Sequence, residues 1–354
     1  MDEALKDETR KLERSWNRHD SDWLRDYLVA GVEDPRINLA SIFSRHALLW
    51  MLAGGRYEAL MNAEYDFSAA LNWWLRVRRE GADAEAFCAV LFALRRGADN
   101  AEGIPLPPFV RRIFHQLPRV VNGVQVPNYL ETLLSTPLPA GAPSPVEHVL
   151  NTFCALWRGL LERDMAAAGA APNRGADQRL RVLEPACGSA NDYRFLEACG
   201  LASRLLYTGF DLSEKNIANA RRLFPHVRFD VGNVFDIRAP DRAFDLCIVH
   251  DLFEHLSPPG LEVALREVGR VTRRRLCLGF FNMDEIPEHE FRPVDEYHWN
   301  TLSRARVCEA LETAGFRVQV LYASAFLRER TGCDQAHNPN ACTLLADRVR
   351  VETV

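Results

Sequence analysis

Apolar residues in the first part of the chain recur at intervals of three and four positions, the period of a helix with one buried stripe. The stretches SDWLRDYLVAGV, INLASIFSRHALLWMLAGG, DFSAALNWWLRVRRE and DAEAFCAVLFALRRG carry this pattern. Ser21, Asn38 and Asp83 stand where N-caps are wanted, and Gly54, Gly55 and Gly97 where such helices close. Residues 1–136 therefore read as an all-helical N-terminal domain. Residues 137–145 sit within TPLPAGAPSPVEH, where Pro137, Pro139, Pro143 and Pro145 interrupt regular structure, and this segment reads as a linker. An amphipathic helix follows, with Val146, Val149, Leu150, Phe153, Leu156, Trp157, Leu160 and Leu161 on one face.

From about residue 179 the period changes. Short apolar runs (RLRVLEPA, RLLYTGFDL, VRFDVGN, FDLCIVHD, RRLCLGFF, RVQVLYA and CTLLADRV) alternate with helical stretches such as EKNIANARRLF and LEVALREVGRVT. Continuous apolar runs of this length fit strands buried on both faces, and their alternation with helices predicts βαβ units. The expected fold of residues 146–354 is a doubly wound α/β domain with a largely parallel sheet. The run Arg273-Arg274-Arg275 reads as the end of a helix, where cations complement the dipole, and not as an RNA-binding patch.

The turn after the first of these strands is the most informative segment. In EPACGSAN, Ala186, Gly188 and Ala190 alternate through a loop of very small residues. In a doubly wound sheet this is where a ligand's backbone comes closest to the protein, and small side chains permit the approach. A dinucleotide fingerprint would require three glycines here, so that match is poor. Glu184, the acid closing the strand, would repel a pyrophosphate and attract an ammonium group.

These residues resemble the class I S-adenosylmethionine-dependent methyltransferases, over about Val182 to Arg348. Glu184 with ACGSA is similar to that family's first motif, whose region holds the amino-acid portion of the cofactor. The resemblance implies a seven-stranded Rossmann-like sheet with S-adenosyl-L-methionine as cofactor. YTGFDLSEKNIANAR resembles the second-strand motif, in which Asp211, with Leu212 beside it, would accept hydrogen bonds from the ribose hydroxyls. FDVGNVFD resembles the segment that frames the adenine; Asn233 stands where the family usually has Asp, and Val234 follows it. FDLCIVHDLFEHL resembles the fourth-strand motif, with His250 expected to line the methionine end and Glu254-His255 to open a helix beside the transfer site. YHWNTLSRARVCEALETAGFRVQVLYA resembles the late segment that ends in an antiparallel hairpin.

Methyl transfer from a sulfonium needs a nucleophile held close and unprotonated. A neutral imidazole can take the acceptor's proton, so His255 is the leading candidate base or orienting group and His298 the second. The segment from Asn282 to Asn300 is rich in carboxylates and carries His289 and His298, but its spacing fits no metal site and it reads as a solvated acidic loop, so no metal is expected. A role for that loop in recognising an amine-bearing substrate stays open.

Composition narrows the class of function. The chain has 354 residues, 47% of them hydrophobic and 26% charged, which suits a folded protein, and its net charge of -5 argues against a nucleic-acid or anionic-membrane footprint. Its nine cysteines form no Cys-x-x-Cys pair, and no apolar run has the length of a membrane span, so reduced thiols and a cytoplasmic setting are expected. The expectation is a methyltransferase that modifies an O or N nucleophile of a small-molecule metabolite. The helical N-terminal domain would cap the substrate, pair subunits as a homodimer, or both. A protein or nucleic-acid methyltransferase and a non-catalytic cofactor-binding scaffold are the alternatives. Trp16, Trp23, Trp50, Trp73 and Trp74 all fall in the N-terminal part, where a core role is expected before a pocket-lining one.

Overall fold

The computed structural model describes residues 2–29, 34–77, 145–167, 179–332 and 338–349, with short pieces between 100 and 125. The linker read at 137–145 lies outside the described residues apart from Pro145, which opens a helix.

Seven strands form one sheet: β1 (Leu180–Pro185), β2 (Leu205–Asp211), β3 (Arg228–Val231), β4 (Phe244–His250), β5 (Thr272–Phe280), β6 (Phe316–Tyr322) and β7 (Cys342–Arg348). Their spatial order is β6-β7-β5-β4-β1-β2-β3. β1 to β5 are parallel, and β7 runs antiparallel to both of its neighbours. The order reverses between β1 and β4, whose pairing sets Val182 opposite Leu246 and Leu183 opposite Cys247. Loops leaving two such strands diverge to opposite faces, which opens a crevice at their carboxyl ends. The strands are apolar because both faces are covered: Val182, Leu183, Leu246, Ile248, Val249, Leu276 and Leu278 are all buried.

The helices are α1 (Glu3–Asn17), α2 (Ser21–Asp26), α3 (Leu39–Ala53), α4 (Glu58–Val77), α5 (Pro145–Ala167), α6 (Asn191–Ala198), α7 (Glu214–Leu223), α8 (Pro258–Val271), α9 (Arg304–Thr313) and α10 (Ala323–Thr331). Local chemistry starts them: the Asp2, Asp20, Asn38, Ser213 and Ser257 side chains each accept a backbone N–H of the first turn. Arg273-Arg274-Arg275 lies in β5 rather than at a helix end. Arg273 pairs with Asp245 and Arg275 Nε lies 2.7 Å from Asp347 Oδ1, so neighbouring strands neutralise two of the three charges.

Among the described residues the N-terminal helices pack against the sheet. Leu5 and Leu12 of α1 bury in the same cluster as Val249, Leu278 and Phe280 of the sheet. Ile42, Phe43 and Leu48 of α3 bury with Val182, Ile248 and Cys277. The helical segment thus packs as an outer layer of the α/β domain, and among the described residues two short antiparallel pairs, Asn100–Ala101 with Ile104–Pro105 and Val120–Val121 with Val124–Gln125, interrupt its helical character.

The layer is locked by a buried charge cluster. Arg45 on α3 bonds to Glu64 on α4, and His46 Nε2 lies 2.7 Å from Glu64 Oε2. Burial opposes the charge on Glu64, but Arg45 and His46 prevail and hold it below the ordinary carboxylate range. Removing one member of a buried ion pair strands its partner, which typically costs ~3–5 kcal/mol. Glu64→Ala is expected to lose stability on that scale in urea denaturation at neutral pH. The folded pKa lies below the unfolded one, so the stabilisation is full above the usual carboxylate range and is lost as pH falls through the folded value. The gap between wild type and variant should shrink in acid.

Candidate active site

A cavity of about 630 Å³ opens at the carboxyl ends of β1, β2 and β4, the size of a small-molecule site. Its floor is the turn after β1. Ala186, Gly188 and Ala190 take φ of 55°, 53° and 64°, all in the left-handed region. Alanine there costs about 1–2 kcal/mol, so the chain keeps a glycine-type loop shape at two positions without glycine. A Cβ on Gly188 would meet nothing within 4 Å, so the loop faces open space. Ala186, Cys187 and Gly188 line the cavity, whereas Ala190 is fully buried beneath it. Gly279 serves a different purpose: a Cβ there would come within 2.7 Å of the His250 ring and 3.2 Å of Ala40. Glycine lets both press against β5.

Asp211 closes β2 and ties the floor to the wall. Its carboxylate accepts from the Gly188 N–H at 3.0 Å, the Ser213 N–H at 2.8 Å and the Asn216 side-chain amide at 3.3 Å. Burial raises its pKa despite these bonds. Glu184 is 4% exposed, and Tyr207 donates its hydroxyl to it. Burial, then the charges of Asp192 and Asp211, push Glu184 up to about 8. Asp192 is itself below its ordinary value: burial opposes its charge, but His250, whose Nδ1 lies 2.9 Å away, prevails. His250 is raised by the same pair, against its own burial. Two buried acids, Glu184 and Asp211, and the partly buried Asp192 thus face one cavity, with His250 paired to Asp192.

The opposite wall is aromatic. His255 lies in a 3₁₀ turn, Phe253–His255, and its ring centroid is 5.3 Å from Phe281, 5.5 Å from Tyr297 and 5.6 Å from Trp299. Its Nδ1 is 3.1 Å from the His298 carbonyl oxygen. A carbonyl can only accept, so Nδ1 carries the proton and the neutral ring keeps its lone pair on Nε2. Burial lowers the pKa of His255 and favours that neutral form. Behind it Glu254 is fully buried, lifted to about 8 by burial and by Asp251, and its Oε1 accepts from the N–H groups of Phe281 at 2.7 Å and Asn282 at 3.2 Å.

The roof comes from the N-terminal helices. Leu12, Trp16, His19, Trp23, Tyr27 and Ala40 all line the cavity. The Lys215 ammonium donates to the carbonyls of Asn17 and His19, both at 2.7 Å, the Asn219 amide to that of Ser21 at 2.7 Å, and Ser189 to that of Leu24 at 3.2 Å.

Of the residues singled out from sequence, Glu184, Ala186, Gly188, Asp211, Leu212, Val234, His250 and His255 line this one cavity. Asn233 does not. Its Oδ1 turns back to the Phe235 N–H at 2.9 Å and its amide donates to Thr9 on α1 at 2.8 Å, so it braces the roof, and the neighbouring Gly232 and Phe235 face the cavity instead. The His298 ring also lies outside the cavity lining, within electrostatic reach of Glu8 and Lys11 on α1; only its carbonyl serves the site. Sequence reasoning ranked a pocket role for Trp16 below a core role and gave none to Tyr27, Phe281 or Trp299. Clustering of tryptophans in the first segment was the available signal for the roof. Among the described residues no group of three or more His, Cys, Asp or Glu side chains could hold a metal ion.

A doubly wound sheet with its last strand antiparallel, and with an acid ending each of the first two strands at the switch point, defines a nucleoside-cofactor-binding α/β protein. A family described as a methyltransferase domain matches residues 182–275. A probable S-adenosylmethionine-dependent methyltransferase of Mycolicibacterium smegmatis is 29% identical over 140 residues, covering 39% of this chain and 52% of that protein. The chain thus spans about half the length of that curated relative. Solved structures with local similarity include an S-adenosylmethionine-dependent methyltransferase from Mesorhizobium loti (18% identity, TM-score 0.37, covering 52% of this chain and 96% of that one). Another is the Burkholderia thailandensis 1,6-didemethyltoxoflavin-N1-methyltransferase, with its substrate and S-adenosylhomocysteine bound (17%, 0.37, 61% and 93%). Residues 182–275 are thus similar to a methyltransferase domain, and the curated relative is described as a user of S-adenosylmethionine.

The cavity suits that cofactor. Burial holds Glu184 and Asp211 towards their protonated forms, and a sulfonium or ammonium brought beside them would favour the charged ones. The Gly188 turn leaves room for a ligand's backbone, and Asp211 offers a carboxylate to a pair of hydroxyls. Asp211→Ala should weaken S-adenosylhomocysteine binding by ~1.5–3 kcal/mol, the value of charge-assisted hydrogen bonds. Titration calorimetry on a folded variant checks this, and binding within about twofold of wild type removes Asp211 from the cofactor site.

Proposed function

We propose that the protein is an S-adenosylmethionine-dependent methyltransferase acting on an O or N nucleophile of a small-molecule metabolite, with His255 as its base. The cofactor, when bound, supplies a methyl group already activated by the positive charge on its sulfur. Glu184, Asp211, Leu212, Val234 and the Gly188 turn hold it, and His250 with Asp192 fixes the wall beside its amino-acid end.

One observation carries the catalytic part of this reading: His255 is pinned through Nδ1 to a backbone carbonyl on the wall of the cavity that the acids also line. The tautomer that results presents a lone pair rather than a proton, which a base needs. Burial keeps the ring neutral near pH 7. The roof of α1 and α2 supports a small acceptor, because a macromolecular chain would have to displace Trp16, Trp23 and Tyr27 from the cavity. Those helices therefore act as the substrate cap.

His255→Ala is expected to lower turnover by ~10²-fold or more with cofactor affinity nearly unchanged, since the proton moves only on the way to the transition state. The neutral ring is the active form and its pKa is shifted down, so the wild-type rate should be flat at and above neutral pH and fall below the ordinary imidazole range. That fall should vanish in the variant. His298→Ala should change turnover by less than about threefold, because the carbonyl that orients His255 survives the substitution. Initial rates measured from pH 5 to 9 decide the matter; two variants with wild-type rates would leave proximity alone to carry the reaction.

A further inference from the structure

Phe281, Tyr297 and Trp299 form three sides of a frame around His255, and Phe281 and Trp299 are themselves only 4.8 Å apart. All four residues line the cavity. The frame is built rather than accidental. Glu254 holds the Phe281 N–H through its side chain and the Asn300 N–H through its carbonyl at 2.9 Å, Asn300 donates to the Leu256 carbonyl at 2.7 Å, and the Trp299 N–H bonds to the Arg292 carbonyl at 2.8 Å. Glu184, Asp192 and Asp211, at the other end of the cavity, are each engaged with partners there. Around His255 the framing surfaces are aromatic rings, tilted or edge-on to the imidazole, with one phenolic hydroxyl, and Asp251 lines the cavity beside them.

We propose that this frame is the acceptor subsite and that it takes a flat aromatic hydroxyl compound, a phenol or hydroxylated heteroaromatic. The inference rests on the methyltransferase reading above and adds the acceptor's class. Stacking on aromatic faces selects planar rings, and offset or edge contacts at these spacings are favourable. The base selects further. A neutral imidazole takes a proton with least mismatch from a phenolic group, with pKa about 10, rather than from an aliphatic hydroxyl, whose acidity is near that of water at about 15.7. In the step itself the acceptor oxygen forms its bond to the methyl carbon as the carbon–sulfur bond breaks with its electron pair left on sulfur. The hydroxyl proton passes to Nε2 of His255, and the resulting imidazolium returns it to water.

Calorimetry with full-length protein saturated with S-adenosylhomocysteine tests the proposal, using 7-hydroxycoumarin as the probe, with cyclohexanol and choline for comparison. The coumarin should bind at least about tenfold more tightly than either comparison compound. Trp299→Ala should weaken it by about tenfold or more, the scale of one lost stacking partner, and Trp299→Phe should restore most of the affinity. Trp299 is 42% exposed, so its truncation leaves the core intact, and unchanged S-adenosylhomocysteine affinity in both variants verifies the fold. Coumarin affinity unaffected by Trp299→Ala, or choline binding more tightly than the coumarin, overturns the subsite. Failure of S-adenosylhomocysteine to bind the wild type overturns the methyltransferase reading instead, and the two failures are read in separate titrations.

Discussion

Carboxyl groups largely withdrawn from water govern the architecture of this site. Glu184 and Asp211 end adjacent parallel strands, and Asp192 begins the helix between them, so the topology alone forces three acids together. Each is stabilised differently: Glu184 by a tyrosine hydroxyl, Asp192 by His250, and Asp211 by two backbone N–H groups and an amide. Desolvation of a charge is costly unless such partners exist. The partners therefore have to be placed, and much of the surrounding structure places them: Gly279 admits the His250 ring, and the left-handed turn at Gly188 aims an N–H at Asp211.

The same residues that satisfy Asp211 also hold the roof. Ser213 gives Asp211 its backbone N–H while its hydroxyl bonds to Asn17 at 2.8 Å, and Asn216, which donates to Asp211, accepts from Ser189, itself in contact with Leu24. At the other end of the cavity Glu8 of α1 receives the Ser257 N–H at 2.6 Å, next to the turn that carries His255. The N-terminal layer is keyed into both ends of the cavity by side chains of the sheet's own loops. Its position is thus tied to the loops at both ends of the cavity.

Sheet, switch point and most of the residues that line the cavity were legible in the sequence because they follow from local pattern: buried parallel strands are apolar throughout, and the small-residue turn is contiguous. What escaped was set by distance along the chain. Asn233 reads as an adenine contact until Thr9, more than two hundred residues earlier, claims its amide. His298 reads as a second base because it is a histidine near the site, yet its carbonyl is what matters. Arg273 and Arg275 read as a helix end because their carboxylate partners lie on neighbouring strands. Ala186 and Ala190 depart from a glycine motif in letter but keep its dihedral angles.

The keyed roof has a consequence for how the chain reaches its fold. The bonds that seat α1 and α2 join residues separated by 165 to 282 positions, as in Ser189 with Leu24 and Arg14 with Glu296. Contacts of such separation form late, after loop-closure entropy has been overcome by other structure. During synthesis the first two helices emerge long before the strands they cover, exposing Leu12, Trp16 and Trp23 with nothing to bury them. The cavity therefore closes only when segments from both ends of the chain meet, and its aromatic cover depends on a sheet synthesised long after it.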